Sequence, residues 1–278
     1  MFKRLLLAYC RGPNHPGKLR LVGWIARWCL PVRGIVLNVC GGLRMRLQVI
    51  NNPERSLFLT DTYEALTTRF VVSNLAQGSI AAIAGANLGY YALQMARAVG
   101  ATGRVLGVEP LPANLARCWE NICLNPALAP RVVLVSGALG STGGYLPVVP
   151  PPEEHTGLAM LERTGEASLA RVRVERFDDL TRVLKFPVPD LMVLDVEGWE
   201  LEAAAGFGSA QPGILVVEND PRAHARQGRT EVQFLAALQQ FGYSLSHLDG
   251  RPAQAGDFYP EQTVVAWRPG RMPHWNSP

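Results

Sequence analysis

The sequence predicts an α/β fold in which helices cover a mostly parallel sheet. Three observations support this prediction. Uncharged apolar runs of strand length recur along the chain, as expected for strands that are buried on both faces. Segments with apolar residues at helical spacing alternate with these runs, which is the order of elements in a parallel sheet. Several runs end in glycine or a carboxylate, at the edge where ligands bind in such sheets.

The stretch from residue 80 to residue 109 is the part around which the other elements are arranged. The apolar run 80–84 ends at Gly85, apolar residues recur at helical spacing over 92–99, and a second apolar run ends at Glu109. The order strand, glycine turn, helix, strand and acid is that of a half-site for an adenosine-type cofactor. In such a site the glycines let the backbone approach the ligand, and the acid accepts hydrogen bonds from ribose hydroxyls.

The spacing of the glycine turn narrows the choice of cofactor. Gly85, Asn87 and Gly89 give the pattern G-x-x-x-G, whereas dinucleotide enzymes carry G-x-G-x-x-G. A ligand with a ribose and no diphosphate fits this spacing better, and S-adenosylmethionine is the common cofactor of that kind. The alternative is a glycine turn with a purely structural role.

The remaining segments complete the predicted sheet. Further strands are predicted at 131–136, 169–177, 190–195 and 213–218, with a closing strand pair at 243–248 and 262–267. Helices are predicted at 60–73, 200–206 and 230–241, together with one that is capped by Asp178 and Asp179 and ends at Leu184. The result is a Rossmann-like, seven-stranded, mostly parallel sheet whose last strand is antiparallel.

The chain is predicted to have an N-terminal extension, one large domain and a short tail. Residues 1–59 form the extension, with helical segments followed by a β-hairpin over 35–50. Residues 60–270 form the cofactor-binding domain, and residues 271–278 form the tail. A length of 278 residues with 48% hydrophobic residues suits a domain of this size.

The N-terminal part of the chain is strongly basic. Residues 1–55 carry ten lysines or arginines and one acid, a net charge of +9, while the remaining residues carry −5. With Trp24 and Trp28 among apolar neighbours, this segment has two interpretations: weak contact with an anionic membrane surface, or a solvated basic face. No apolar run approaches the ~18 residues of a spanning helix, and no signal peptide is expected. The five cysteines lack paired spacing, so we expect free thiols in a reducing cytoplasm.

Several predicted strand ends carry residues that suit a cofactor site. Glu109 is placed for the two hydroxyls of a ribose, and Glu218 ends the fifth strand. Gly137 and Ala138 follow the third strand, where their backbone either hydrogen-bonds the edge of an adenine or forms a turn that needs small residues.

Asp195 and Glu197 are the candidate catalytic residues. The fourth strand neighbours the first, so its end lies beside the sulfonium of the cofactor, where carboxylates attract the cation or accept a proton from an attacking hydroxyl. The alternative is that Glu197 and Glu200 only begin a helix, where negative charge is favoured. His155 lies in the proline- and glycine-rich loop 140–170 and is a reserve candidate for the base, or else a surface residue. No metal-ligand pattern is visible, so no metal is predicted.

Taken in order, these stretches resemble the FkbM family of S-adenosylmethionine-dependent methyltransferases. The matching stretches are Asp61-Thr-Tyr-Glu64, Gly85-Ala-Asn-Leu-Gly-Tyr-Tyr91, Gly103 to Pro110 with Asn114, Asn121-Ile-x-Leu-Asn125, Ala138-Leu-Gly140, Phe177-Asp-Asp-Leu180, Asp195-Val-Glu-Gly-x-Glu200 and Val217-Glu218. The resemblance covers about residues 60–220. It implies a class I methyltransferase fold and O-methylation, usually of a hydroxyl on a sugar, a polyketide or another secondary metabolite.

The resemblance also implies which residues bind the cofactor and what kind of partner the protein has. The implied cofactor-binding residues are Gly85, Asn87, Gly89, Tyr90, Glu109, Pro110, Asn114, Gly137, Ala138 and Asp195. The expected partner is a small-molecule or glycan acceptor that offers a hydroxyl, and no nucleic acid is expected.

One position departs from the family pattern. Ile83 stands two residues before the first glycine, where the family usually has an acid that helps to hold the methionine end of the cofactor. The departure leaves two hypotheses. Glu109, Asp195 and Glu197 favour an active O-methyltransferase, whereas Ile83 and the basic leader favour a degenerate member that serves as a partner-binding or membrane-associated scaffold.

Overall fold

The computed structural model describes residues 33–48, 52–149 and 171–275, with the isolated residues 9, 12, 21, 31, 160 and 161. The helices predicted before residue 33 fall largely outside the described residues, as do Trp24, Trp28 and His155. Membrane contact by the basic leader therefore stays a prediction. None of the helices in the described ranges combines the length and the apolar composition that crossing a membrane requires.

The first elements of the described ranges are a β-hairpin and two helices. The hairpin is formed by β1 (Ile35–Val39) and β2 (Leu43–Leu47), which pair antiparallel as predicted. Helices α1 (Asn52–Thr60) and α2 (Ala65–Ser73) follow.

The prediction of one helix over 60–73 was wrong at its start, because α2 begins only at Ala65. Asp61 and Glu64 have φ angles of 63° and 42°, in the left-handed region, and this separates α1 from α2. Sequence reasoning missed α1, although Pro53 near its start and Glu54 in its first turn are typical of a helix N-terminus.

The next five elements are three strands of the main sheet and the two helices between them. All three strands were predicted. The five elements are β3 (Ile80–Ala84), α3 (Tyr90–Ala98), β4 (Arg104–Glu109), α4 (Pro112–Cys123) and β5 (Val132–Ser136).

A second, smaller sheet follows β5. Its strands at 144–149 and 160–161 correct the prediction of an irregular loop over 140–170 at those residues, whereas 150–159 and 162–170 lie outside the described residues. The sheet contains β6 (Ala138–Leu139), β7 (Gly144–Val149), β8 (Met160–Leu161) and β9 (Arg171–Glu175), in the order β6-β9-β7-β8. Pro147 lies where the pairing of β7 passes from β9 to β8, so its missing N–H is tolerated. Helix α5 (Phe177–Leu184) comes next. Its N-cap is Arg176, so Asp178 and Asp179 lie in its first turn and are not its cap.

The C-terminal half completes the main sheet. Its elements are β10 (Leu191–Leu194), α6 (Glu200–Ala205), β11 (Ile214–Glu218), α7 (Pro221–Arg226), α8 (Glu231–Gln240), β12 (Ser244–Ser246) and β13 (Thr263–Trp267). Helix α8 begins with a capping box in which Thr230 and Gln233 bond each other's backbone N–H groups.

The main sheet has seven strands in the order β12-β13-β11-β10-β3-β4-β5, and β13 is antiparallel to its neighbours, as predicted. Ala84 lies opposite Leu194 and beside Val108, so the parallel strands β3, β4 and β10 end at one common edge. Because β3 lies between β4 and β10, the glycine turn that follows β3 is flanked by the residues that follow those two strands.

Apolar side chains cover both faces of the sheet. On one face Ala81 and Ile83 belong to a buried cluster that includes side chains of the hairpin and of helices α1 to α4. On the other face Ala82 and Ala84 belong to a cluster with side chains of α5, α6 and α8. The hairpin therefore shares its core with the main sheet.

Candidate active site at the carboxyl ends of the strands

Gly85 is required by the close approach of two strand ends. Its φ angle is 85°, and a Cβ at this position would overlap the backbone carbonyl oxygen of Asp195. The N–H groups of Gly85 and Ala86 donate to the carbonyl oxygen of Val108 at 3.0 and 3.1 Å. The turn thus fixes the ends of β3, β4 and β10 against one another.

The rest of the glycine turn is held in left-handed backbone conformations. Asn87 has a φ angle of 46°, and its backbone N–H donates to Oε2 of Glu109 at 2.8 Å. Gly89 has a φ angle of 90° at the start of α3, where a Cβ would lie 2.9 Å from Sγ of Cys118. At both positions the backbone conformation and the lack of space for a Cβ therefore require glycine. The turn that contains them lies against Glu109, the predicted ribose-binding acid.

Glu109 is buried, with 3% of its surface exposed, and is surrounded by N–H donors. Besides the N–H of Asn87, its carboxylate accepts from the backbone N–H of Leu111 at 3.0 Å and from Nδ2 of Asn114 at 3.4 Å. Burial raises the pKa of Glu109, and the hydrogen bonds from these donors oppose that rise. Asn87, Glu109 and Asn114 thus form one hydrogen-bonded group.

The structure brings some of the other predicted cofactor residues to this group and leaves one outside it. The N–H of Gly137 donates to the carbonyl oxygen of Glu109 at 3.1 Å, and Ala138 follows, buried, in β6. Pro110 is partly buried between Glu109 and α4.

Tyr90 is the residue that lies outside it. Its hydroxyl donates to the carbonyl oxygen of Tyr63 at 3.0 Å and lies 3.0 Å from Oγ1 of Thr68. Burial raises the pKa of Tyr90 to about 12. The side chain therefore joins α3 to α2.

Asp195 and Glu197 follow β10 directly. The N–H of Asp195 donates to the carbonyl oxygen of Ala84 at 3.1 Å, which places Asp195 beside the glycine turn. Burial and the neighbouring carboxylates of Glu64 and Glu197 raise the pKa of Asp195 well above its ordinary value. Glu197 has a φ angle of 57°, a left-handed conformation that is uncommon for a residue with a side chain.

The carboxyl group of Glu197 has an unusual acidity. Burial and the charge of Glu200 raise its pKa to about 7, against the opposing effect of Arg226. A carboxyl group with a pKa near neutrality is suited to accept and release protons.

Glu200 lies in the first turn of α6, where the alternative interpretation of the sequence places it. Its Oε1 accepts from the backbone N–H groups of Val196 and Gly198 at 3.2 and 3.0 Å, immediately before α6. Glu200 therefore stabilises the turn before α6. Glu197 stands outside these hydrogen bonds to the turn.

A cavity opens beside Asp195, and its lining includes residues to which sequence reasoning gave no role. It measures about 380 Å³ with its mouth included. Its lining residues are Glu64, Thr67, Tyr91, Val193, Leu194, Asp195, Val216, Val217, Glu218, Glu261, Gln262 and Thr263.

The carboxylates of this cavity differ in their partners. Glu64 accepts from the hydroxyl of Tyr91 at 2.6 Å, and Glu261 accepts from the backbone N–H groups of Leu66 and Thr67 at 3.2 and 2.8 Å. Oε2 of Glu218 is buried and has no hydrogen-bond partner in the described part of the chain.

The pKa of Glu218 also differs from that of an ordinary glutamate. Burial and the charges of Asp195, Glu197 and Glu200 raise its pKa to about 10. Sequence reasoning noted Glu218 only as a strand end, and Glu64 only within a matching stretch. The sequence feature that points to Glu64 is its position just before helix α2, which packs on α3.

His155, the reserve candidate for the base, lies outside the described residues. Within the residues that the structure describes, no group of three or more histidine, cysteine, aspartate or glutamate side chains is arranged to hold a metal ion.

The strand order and the site together define a class of protein. The sheet order, the antiparallel β13, the glycine turn after β3 and the acid after β4 are those of a class I methyltransferase with an S-adenosylmethionine site. Residues 84–245, more than half of the chain, match the sequence model of the FkbM methyltransferase domain. The chain belongs to this family, so the predicted family, fold and cofactor are confirmed.

Solved structures with a similar arrangement have low sequence identity to this chain. The FkbM methyltransferase from Methylobacillus flagellatus is 16% identical with a TM-score of 0.45, and the match covers 70% of this chain and 44% of that protein. The precorrin-6y C5,15-methyltransferase from Geobacter metallireducens is 14% identical with a TM-score of 0.44, covering 78% and 94% of the two chains. Fibrillarin from Aeropyrum pernix, solved with natively bound S-adenosyl-L-methionine, is 14% identical with a TM-score of 0.44, covering 73% and 74%. No curated protein sequence matched the chain.

Proposed function

We propose that this protein transfers a methyl group from S-adenosylmethionine to a hydroxyl of a small-molecule or glycan acceptor. The observation that carries the proposal is Glu197, a strained carboxyl residue with a pKa of about 7 that follows β10 two residues after Asp195. An aliphatic hydroxyl is a weak nucleophile until its proton is withdrawn, so O-methylation benefits from a base at this place.

The residues around Glu109 fit the ribose of the cofactor. A carboxylate offers about four acceptor positions, and three N–H donors occupy Glu109, one of them at the long distance of 3.4 Å. Glu109 therefore keeps acceptor capacity for a ribose hydroxyl.

The glycine turn and Asp195 fit the methionine part of the cofactor. When bound, S-adenosylmethionine supplies an electrophilic methyl group on a positively charged sulfur. Asp195 lies against the turn, and burial and the charges of neighbouring carboxylates raise its pKa. A nearby positive charge favours the ionised form of Asp195, so the residue is suited to bind the charged cofactor more tightly than its neutral product.

Glu197 is then assigned as the base. It withdraws the proton from the acceptor hydroxyl as the oxygen attacks, and a group with a pKa near 7 releases that proton to solvent afterwards. The chain's remaining contribution is alignment of donor and acceptor.

Two measurements test the proposal in sequence. Calorimetric titration of the purified protein with S-adenosylhomocysteine is expected to show binding, and S-adenosylmethionine with a labelled methyl group is expected to label a hydroxyl compound from a panel of sugars and polyketides. Ile83 is 1% exposed and belongs to an apolar cluster, so the position offers no charge to the cofactor. If no binding is seen, the non-catalytic scaffold becomes the better hypothesis.

A further inference from the structure

Asn121, in α4, and Asn125, just after the C-terminal end of α4, cover the outer edge of the hairpin. The side chain of Asn125 accepts from the backbone N–H of Arg44 at 3.0 Å and donates to the carbonyl oxygen of Arg44 at 2.8 Å. One turn earlier in the helix, Oδ1 of Asn121 accepts from the backbone N–H of Arg46 at 2.7 Å. The two side-chain amides thus satisfy the polar groups that an edge strand leaves open.

Asn121 differs from Asn125 in that it also reaches the glycine turn. Its Nδ2 donates to the carbonyl oxygen of Leu88 at 2.8 Å, and Leu88 lies between Asn87 and Gly89. Asn121 is buried, with 1% of its surface exposed, so both of these hydrogen bonds are shielded from water. One amide group therefore joins the hairpin to the part of the site that approaches the cofactor.

The glycine turn needs support of this kind. Asn87 and Gly89, on either side of Leu88, have φ angles of 46° and 90°. A residue with a side chain persists in the left-handed region only where the surrounding structure holds it there. The backbone N–H of Asn87 is held by Glu109, and the carbonyl oxygen of Leu88 is held by Asn121.

We propose that Asn121 is a positioning residue of the cofactor site, which couples the docking of the hairpin to the shape of the glycine turn and thereby to cofactor affinity. The inference rests on the proposed function, since it takes S-adenosylmethionine as the ligand of the turn. The coupling is reciprocal: a hairpin that is docked favours the cofactor, and a bound cofactor favours the docked hairpin.

The two asparagines provide a matched set of variants. Asn121→Asp keeps an oxygen for the N–H of Arg46 but replaces the donor to Leu88 with a second oxygen. Asn121→Ala removes both hydrogen bonds. Asn125→Ala loosens the same hairpin and removes a hydrogen bond to the carbonyl oxygen of Asn121 at 2.8 Å, but it leaves both hydrogen bonds of the Asn121 side chain in place. Calorimetry with S-adenosylhomocysteine is expected to show an affinity roughly tenfold lower for both Asn121 variants, the effect of one buried hydrogen bond, and an unchanged affinity for Asn125→Ala.

Thermal unfolding and turnover separate positioning from general destabilisation. Asn121→Ala and Asn125→Ala are expected to lower the melting temperature by similar amounts, while only the Asn121 variants raise KM for S-adenosylmethionine, with kcat little changed. Equal cofactor affinity for Asn121→Ala, Asn121→Asp and Asn125→Ala would overturn the inference. A wild-type protein that binds no S-adenosylhomocysteine would instead refute the proposed function.

The unmodified protein gives a second test if a variant fails to fold. Amide hydrogen exchange is measured with and without S-adenosylhomocysteine. The N–H of Arg46, which bonds to Asn121, is expected to gain several-fold protection on binding, and the N–H of Arg44, which bonds to Asn125, is expected to gain less. Equal protection at the two amides, or none at either, contradicts a connection through Asn121.

Discussion

Carboxyl groups at two places on one sheet edge have opposite surroundings. Glu109, after β4, accepts three hydrogen bonds from N–H donors, two of them from the backbone. Asp195 and Glu197, after β10, lie among other carboxylates, and so does Glu218, after β11. The distance between the two places is short, because only β3 separates β4 from β10.

The difference shows how one residue type takes on two functions. Burial raises the pKa of Glu109 too, but hydrogen bonds from N–H groups oppose that rise, and no neighbouring carboxylate that the structure describes adds to it. This carboxylate is therefore suited to hold hydroxyl groups. Burial beside like charges disfavours the ionised form at Asp195, Glu197 and Glu218, so these groups are suited to hold a cation or to exchange a proton. We therefore expect substitutions after β4 to act on binding and those after β10 to act on turnover.

Glu197→Gln is the substitution expected to have the largest effect. Removal of a general base costs about 10²–10⁴-fold in rate, and the amide keeps the size of the side chain. Single-turnover methyl transfer is expected to slow within that range, while the affinity for S-adenosylhomocysteine stays within a few-fold. Asp195→Asn is expected to slow transfer as well, with a weaker hold on the charged cofactor.

The control for this substitution is Glu120→Gln, the same chemical change on an exposed side chain of α4. It is expected to leave the rate unchanged. If Glu197→Gln and Asp195→Asn both react at the wild-type rate while His155→Ala does not, the base is His155 and the assignment fails.

Glu109→Gln is expected to affect binding instead of the rate. A hydrogen bond to a charged acceptor contributes roughly 1.5–3 kcal/mol, so the affinity for S-adenosylhomocysteine is expected to fall by about 10- to 100-fold. The amide oxygen still accepts one backbone N–H, which helps the variant to fold. A folded Glu109→Gln protein with wild-type affinity would remove Glu109 from the ribose site.

Most of the main sheet was predictable because buried parallel strands have a simple sequence pattern. The strands β3, β4, β5, β10 and β11 each coincide with an uncharged apolar run, and their order along the chain fixes the edge at which they end. The place of the glycine turn beside Glu109 followed from the same pattern.

The other features depend on contacts that a local pattern does not contain. β7 includes Pro147, which predicts irregular chain, and its pairing with β9 and β8 overrides that preference. The place of Tyr91 beside Glu64 required the packing of α2 on α3. The raised pKa of Glu197 depends on neighbours that only the fold brings together.

The pH dependence of turnover sharpens the contrast between the two places. Burial and the charges of Glu200, Asp220 and Glu64 raise the pKa of Glu197 to about 7, and Arg226 opposes the rise. A base must be ionised, so kcat/KM is expected to rise about tenfold per pH unit below pH 7 and to level off above it. In Glu197→Gln the residual rate is expected to lose this dependence, and a rise that persists there would assign the titration to another group.

The smallest expected effect is on stability, and it concerns Glu218. Its pKa is about 10 in the folded protein, under burial and the charges of Asp195, Glu197, Glu200 and Asp220, and lies near the ordinary value of 4.5 in the unfolded chain. Between pH 5 and pH 8 the folded state therefore keeps a proton that the unfolded state releases. Stability falls as pH rises wherever the folded state binds more protons.

Glu218→Gln removes this titration, so its melting temperature relative to wild type is expected to rise from pH 5 to pH 8, by about 2–4 °C for each kcal/mol recovered. Comparing the two pH values cancels the constant cost of burying an amide at this position. Glu120→Gln, on the surface, is expected to show no such trend. If the wild-type and Glu218→Gln proteins lose stability in parallel from pH 5 to pH 8, Glu218 is ionised in the folded state, and the contrast with Glu109 does not extend to β11.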